Sequence, residues 1–295
     1  MKDSNLYPVA SERVSSEALA HLESLPAQSI WATTRDGLKI HGLDYGGSGR
    51  PLIILPGITS PAATMDFVAR DLRSVGRVIV PDLRGRGLSD DASDFSLEKY
   101  ADDVEDVLNA WGLRHPTLIG HSLGARIAAA AVARDASLYL GSLLLDPPMS
   151  GPGRPYPTTL EMFMTQLDEA VAGTNAQEVA GWWPKWSHEE LVSRSLWLAS
   201  CTRDSILKTH QGFESEQFEQ YWTELPANTT LLYGSDSPVV TTEDITNLNA
   251  MRSDLEIVEI PNAGHMLPWD NFPDTMAQCH EKIADLLSTS DASPQ

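Results

Sequence analysis

A serine set between two glycines is the pattern best suited to chemistry in this chain of 295 residues. The pentapeptide Gly120-His121-Ser122-Leu123-Gly124 follows an apolar run, residues 117–120, and precedes an alanine-rich segment. A Gly-x-Ser-x-Gly sequence between a buried strand and a helix is typical of a sharp turn that exposes a nucleophilic serine. We therefore expect Ser122 to be a nucleophile, with the amino terminus of the following helix directed at the reacting oxygen.

A serine hydroxyl attacks poorly unless a general base accepts its proton. The chain has eight histidines, and His265 directly follows the last strand-like run, residues 256–260. The carboxyl ends of parallel strands gather at one edge of a sheet, so His265 and Ser122 are expected at the same edge. We predict that His265 is the base.

A third residue, a carboxylate, is needed to orient the imidazole of the base. Asp146 ends one apolar run, and Asp236 follows the next one along the chain. The commonest layout of serine hydrolases favours Asp236. Both residues nevertheless follow predicted strands, so the pattern alone leaves the two alternatives open.

The negative charge that develops on the substrate oxygen needs two backbone N–H donors. We expect one from Leu123, directly after the nucleophile. The second is expected from Ile58, in the loop after residues 52–55, because Gly57 allows the backbone there to come close.

Eight strand-like segments position these residues. Several are continuous apolar runs, as strands buried on both faces require. Segments with helical periodicity fall between them, which predicts an α/β fold with a mostly parallel eight-stranded sheet and helices on both faces. The predicted strands are residues 30–34, 38–45, 51–55, 77–82, 117–120, 142–146, 230–233 and 256–260.

The alternation of strands and helices stops in residues 149–226, which contain five of the eight tryptophans. We interpret this stretch as a helical lid inserted after the sixth strand. Residues 30–148 and 227–295 then form the core. Residues 1–29 are predicted to be an N-terminal helical extension, because apolar residues recur there at helical spacing before Pro26.

Composition excludes several classes of partner. The chain has 21 Lys and Arg against 41 Asp and Glu, a net charge of −20. Nucleic acids and anionic membrane surfaces require a basic footprint, so neither is expected. Two cysteines, no secretory signal and no membrane-spanning run predict a cytoplasmic protein without a disulfide framework or a structural zinc site. The sequence does not indicate an oligomeric state.

Six stretches together resemble the α/β-hydrolase family, and within it the N-formylmaleamate deformylases of nicotinate degradation. The pentapeptide and residues 82–89 are common to many hydrolases, whereas residues 146–154 and 186–191 are more specific. This chain departs from the deformylase pattern at residues 1–29 and in the loop around Asp236. The resemblance implies that Asp146 is the orienting acid. The stretches are residues 55–61, 82–89, 120–126, 146–154, 186–191 and 262–270.

The resemblance also implies a reaction, the hydrolysis of N-formylmaleamate to maleamate and formate through an acyl-enzyme at Ser122, without metal or cofactor. The implied substrate carries a carboxylate, which a cation should meet. Arg154 and Tyr156, at the start of the predicted lid, are expected to bind it. His121 and Trp186 are expected to line the same pocket.

Two rival functions use the same residues. A carboxylesterase would apply the triad to small esters, and a panel of esters and N-formyl amides separates the two. A slowly turning over ligand receptor of the same fold would release product only stoichiometrically in a single-turnover experiment.

Overall fold

A computed structural model describes residues 13–291, which form one eight-stranded sheet with the strand order β1-β2-β4-β3-β5-β6-β7-β8. The first two strands pair antiparallel, as do β2 and β4, and every other pair is parallel. The predicted mostly parallel sheet is therefore confirmed. The strands are β1 (Gln28–Thr33), β2 (Lys39–Gly46), β3 (Pro51–Leu55), β4 (Arg77–Pro81), β5 (Thr117–His121), β6 (Gly141–Leu145), β7 (Thr229–Gly234) and β8 (Glu256–Ile260).

Helices cover both faces of the sheet. Alternate residues of β3 point to opposite faces, so Ile53 belongs to one apolar core and Leu52 to the other. The helices are α1 (Ser16–Ser24), α2 (Asp66–Leu72), α3 (Leu97–Ala110), α4 (Leu123–Arg134), α5 (Leu160–Ala172), α6 (Ala176–Trp182), α7 (His188–Trp197), α8 (Arg203–Ser215), α9 (Glu219–Trp222), α10 (Thr242–Met251), α11 (Leu267–Asp270) and α12 (Phe272–Asp291).

The segment between β6 and β7 contains five helices, α5 to α9. Within it, α7 packs against the 3₁₀ turn Ala62–Met65, which follows the loop after β3. The helix α1 packs on α7, where Trp197 Nε1 donates to His21 Nδ1 at 3.1 Å. The division into extension, core and lid stays a prediction, and residues 1–12 of the predicted extension lie outside the described residues.

The carboxyl ends of the central parallel strands meet at one edge of the sheet. Ser122 directly follows β5, Asp146 directly follows β6, and His265 lies five residues after the end of β8. The parallel register of these strands therefore brings three residues that are distant in sequence to one place. None of the helices in residues 13–291 has the length and apolar character of a membrane span.

Candidate active site

Ser122 occupies a strained turn between β5 and α4. Its φ of 55° and ψ of −116° place a non-glycine residue in a region that L-residues rarely adopt. A Cβ atom on Gly120 would lie 2.2 Å from the carbonyl oxygen of Gly124, and one on Gly124 would lie 1.9 Å from that of Leu55. Both glycines are thus required by packing, and the turn holds the serine at the edge of the sheet.

Ser122, His265 and Asp146 form a continuous chain of hydrogen bonds. The Oγ of Ser122 lies 2.9 Å from His265 Nε2, and His265 Nδ1 lies 2.7 Å from Asp146 Oδ2. Because an ionised carboxylate only accepts hydrogen bonds, Nδ1 carries the proton and Nε2 is left to accept from the serine. This is the geometry that proton transfer from a serine nucleophile requires.

The carboxylate of Asp146 is fully buried and held by two further donors. The backbone N–H of Gly234 donates to Oδ1 at 3.1 Å, and the Ser237 hydroxyl donates to Oδ2 at 2.6 Å. Asp236, the alternative acid, is exposed in the same loop as Ser237. Of the two alternatives, the structure places Asp146 against His265.

The loop after β3 runs beside the nucleophile. A Cβ atom on Gly57 would lie 3.7 Å from the Cβ of Ser122. The N–H of Leu123 is the first of α4 and has no acceptor within its own helix. Neither this N–H nor that of Ile58 donates to another backbone group elsewhere in residues 13–291. The loop after β3 and the turn after β5 therefore each contain a backbone N–H without a backbone acceptor.

Tyr156 is buried and reaches the same histidine nitrogen as the serine. Its hydroxyl lies 3.0 Å from His265 Nε2. Burial raises the pKa of the Tyr156 phenol well above its ordinary value, so the hydroxyl keeps its proton. The ring packs against Phe163 and Phe213. Tyr156 thus places a proton donor beside the candidate base.

His121 is a neutral imidazole inside the site. Burial, and secondly the neighbouring His265, lowers the pKa of His121 to about 3. Its Nε2 lies 2.9 Å from the carbonyl oxygen of His265, so Nε2 carries the proton and donates to that oxygen. In the described residues its Nδ1 has no partner. His121 therefore adds a fixed dipole to the site and no charge.

A small cavity of about 50 Å³, enough for a few water molecules, opens onto Ser122. Residues from the loop after β3, from α5 and α7, and from around the candidate triad line it. A larger groove of about 780 Å³ beside Arg13 and Leu167 contains neither Ser122 nor His265, so the small cavity is the candidate site. It is lined by Gly57, Ile58, Thr59, Ser60, His121, Ser122, Tyr156, Thr158, Phe163, Gln166, Trp183, Trp186, Arg194, His265 and Met266.

Trp186, which was expected to line the pocket, is among the residues that line this cavity. Its ring stacks between those of Trp183 and Trp269, with centroids 4.7 and 5.1 Å away. The indole Nε1 of Trp186 is buried and has no acceptor within the described residues. The stack therefore fixes one wall and leaves a donor unused.

Arg154, which was expected to meet the substrate carboxylate, is not among the residues that line the cavity. Its guanidinium forms a two-pronged ion pair with Asp244, at the start of α10. The carboxylate of Asp244 is largely buried and also caps α10 through Thr241. Arg154 is thus used to tie the segment after β6 to α10.

Arg194 is the cation that sequence reasoning missed. It lies on α7 and lines the cavity, and burial lowers the pKa of its guanidinium to about 10. The sequence contains a pattern that indicates the burial of Arg194. Leu191, Arg194 and Trp197 are spaced three residues apart, which puts a charged residue on the buried face of a helix. Such a position requires hydrogen bonds or a ligand.

The described residues contain no group of three or more His, Cys, Asp or Glu side chains placed to hold an ion. The polar side chains that line the cavity include the hydroxyl of Ser122, the imidazoles of His121 and His265, the phenol of Tyr156 and the guanidinium of Arg194.

Comparisons with known proteins show the family of the chain. The model of the alpha/beta hydrolase family matches residues 52–278. N-formylmaleamate deformylase of Pseudomonas putida is 36% identical over 240 residues, which are 80% of this chain and 90% of the relative. 2-(Acetamidomethylene)succinate hydrolase of Mesorhizobium japonicum is 27% identical over 74% of this chain and 82% of its own length.

A solved structure extends the likeness to the fold. The crystal structure of N-formylmaleamic acid deformylase from Pseudomonas putida S16 superposes with a TM-score of 0.79 at 32% identity, covering 85% of this chain and 98% of that one. The fold and the family expected from the sequence are both confirmed. The chain is a hydrolase, and it belongs to the alpha/beta hydrolase family.

Proposed function

We propose that this protein hydrolyses the C–N bond of a small carboxylate-bearing amide, N-formylmaleamate, to give maleamate and formate. The observation that carries the proposal is the chain of hydrogen bonds from Ser122 through His265 to Asp146, beside a small cavity that Ser122 and His265 both line. The 36% identity to a protein named for this substrate supports the choice of substrate.

In the first half of the proposed reaction, Ser122 Oγ attacks the formyl carbon while His265 Nε2 takes its proton. The N–H groups of Ile58 and Leu123 stabilise the oxyanion. His265, held by Asp146, then protonates the departing nitrogen, the C–N bond breaks and maleamate leaves. The formyl group remains as an ester on Ser122.

In the second half, His265 takes a proton from water, and the resulting hydroxide attacks the formyl ester. The bond to Ser122 breaks, the serine recovers its proton from His265, and formate leaves. One water is consumed for each substrate. The leaving nitrogen is conjugated to a second carbonyl, which makes it a better leaving group than a simple amine, so the proposed triad needs no metal.

The proposal also includes the lid, the substrate contacts and the metabolic role that the sequence analysis predicts. Helices α5 to α9 act as a lid over the cavity, and Tyr156, His121 and Trp186 contact the bound substrate. A role in nicotinate breakdown follows from the substrate.

A substrate panel tests the proposal. Purified protein is assayed for formate release from N-formylmaleamate and, in parallel, for hydrolysis of short-chain esters of similar size. We expect fast formate release and a lower kcat/KM for every ester. Rapid ester hydrolysis without formate release would instead assign the protein as a carboxylesterase, and one product molecule per enzyme without further turnover would assign a receptor.

A further inference from the structure

Arg194 is a buried guanidinium in the wall of the cavity, with only neutral partners. It is 4% exposed. One terminal nitrogen donates to the Thr59 carbonyl oxygen at 2.5 Å and to the Thr59 hydroxyl at 3.0 Å, and the other donates to Gln166 Oε1 at 3.4 Å. Within residues 13–291, Arg194 forms no ion pair with a carboxylate. Its positive charge is thus uncompensated where a charge is costly to bury.

The same wall contains unused hydrogen-bond donors. In the part of the chain that the structure describes, neither Arg194 Nε nor Trp186 Nε1 has an acceptor, although both atoms are buried. Buried donors without partners are uncommon in folded proteins. Both residues line the cavity that opens onto Ser122. The wall of the cavity therefore contains donors and a positive charge without partners, which suits an occupant with negatively charged oxygens.

Other cations do not supply this charge. Arg154 is paired with Asp244 outside the cavity. Arg86 and Arg126 are also buried, but they donate largely to backbone carbonyl oxygens and do not line the cavity. Because the chain as a whole carries a charge of −20, an anion would be repelled without a local cation.

We propose that Arg194 binds the carboxylate of the substrate and makes the site selective for anionic over neutral ligands. This inference rests on the proposed function, since it names the recognition element for that substrate. Thr59 holds the guanidinium and directly follows Ile58, whose N–H we assign to the oxyanion. The carboxylate and the reacting carbonyl are therefore positioned by the same loop.

A binding experiment separates this role from a structural one. In the Ser122→Ala background, maleamate and its neutral diamide, maleamide, are titrated by calorimetry. We expect maleamate to bind about 100-fold more tightly, the scale of a hydrogen bond between charged groups. Arg194→Gln should abolish that preference while leaving maleamide binding unchanged. Arg194→Lys should retain part of it, because the ammonium keeps the charge but loses the planar fork.

Arg203→Gln is the matched control. It removes the same charge from an exposed position on α8 and should leave both affinities unchanged. Equal weakening of maleamate and maleamide in Arg194→Gln would show that Arg194 only supports the fold and would overturn the proposal. Should Arg194→Gln fail to fold, as judged by circular dichroism, the Arg194→Lys titration decides. Equal binding of the two ligands by the Ser122→Ala protein would also overturn it.

The outcome is distinguishable from a failure of the proposed function. If formate release is observed but the preference for maleamate survives Arg194→Gln, only this inference is wrong. If no formate is released while maleamate binds in an Arg194-dependent manner, the reaction is wrong and the anion site stands.

Discussion

The hydroxyl of Tyr156 lies 3.0 Å from Nε2 of His265. The same nitrogen lies 2.9 Å from the Oγ of Ser122, yet a neutral imidazole nitrogen has one lone pair to offer. Only one of the two hydroxyls can donate to it at a time. In the proposed reaction, Nε2 takes the proton of Ser122 and can then accept no hydrogen bond, so the Tyr156 hydroxyl becomes free to donate to the reacting group.

We expect Tyr156→Phe to lower kcat by about tenfold, the scale of one lost hydrogen bond in the transition state. The phenyl ring keeps its packing against Phe163 and Phe213, so the melting temperature should change little. Steady-state kinetics with N-formylmaleamate measures the effect. An unchanged kcat would show that the hydroxyl takes no part in the reaction.

The choice between two acids is testable by a matched pair of substitutions. Asp146→Asn leaves the shape of the site intact but replaces the carboxylate that orients His265 Nδ1–H with a neutral amide, so kcat should fall on the order of 10⁴-fold. Asp236 is exposed, and Asp236→Asn should leave kcat close to that of the wild type. If Asp236→Asn lowered kcat more than Asp146→Asn does, the proposed triad would be wrong.

The ion pair of Arg154 predicts an effect on stability and none on substrate binding. Arg154→Ala leaves the largely buried Asp244 carboxylate without its cation. We expect the free energy of unfolding to fall by about 1 kcal/mol, a modest amount because Arg154 is partly exposed to solvent. The KM for N-formylmaleamate should stay within twofold, roughly the error of such assays. A large rise in KM with unchanged stability would show that Arg154 binds the substrate.

The burial of His121 should make the free energy of unfolding depend on pH in the acid range. Its pKa is lowered from 6.5 to about 3 in the folded protein. Between these values the unfolded state binds more protons, so the free energy of unfolding falls as the pH falls from 6.5 to 3. Above pH 6.5 this contribution to stability is fully present.

His121→Gln removes this titration and keeps a donor for the His265 carbonyl oxygen. The free energy of unfolding of the variant should therefore decline less steeply with falling pH, by up to about 1.4 kcal/mol per pH unit. Urea unfolding at a series of pH values measures the two slopes. Parallel slopes for the two proteins would contradict the assigned burial of a neutral imidazole.

The sheet could be predicted from the sequence because its central strands are covered on both faces. That environment requires continuous apolar runs, and the run in β3 is visible without a structure. The short helix α2 has no recognisable signal in the sequence, because seven residues with three buried apolar positions are too few to show a helical period.

The placement of Ser122, Asp146 and His265 at one edge of the sheet was also predictable, since strand ends determine it. The pattern did not distinguish Asp146 from Asp236, because both follow strands. Whether each arginine is paired with a carboxylate was not predictable from the sequence. Arg154 is paired because the fold brings Asp244, 90 residues away in sequence, against it. Arg194 is unpaired because the fold surrounds it with neutral partners such as Thr59. Only the tertiary structure determines which charges are compensated.

Formate release from N-formylmaleamate, measured for the wild type and for Ser122→Ala, tests the central claim most directly. The wild type should release formate and maleamate in equal amounts, with no metal or nucleotide added. Ser122→Ala should stay folded and lose on the order of 10⁶-fold in kcat, the scale observed when a serine nucleophile is removed. Formate release that persisted in Ser122→Ala, or none from the wild type, would contradict hydrolysis of this substrate through a formyl-enzyme at Ser122.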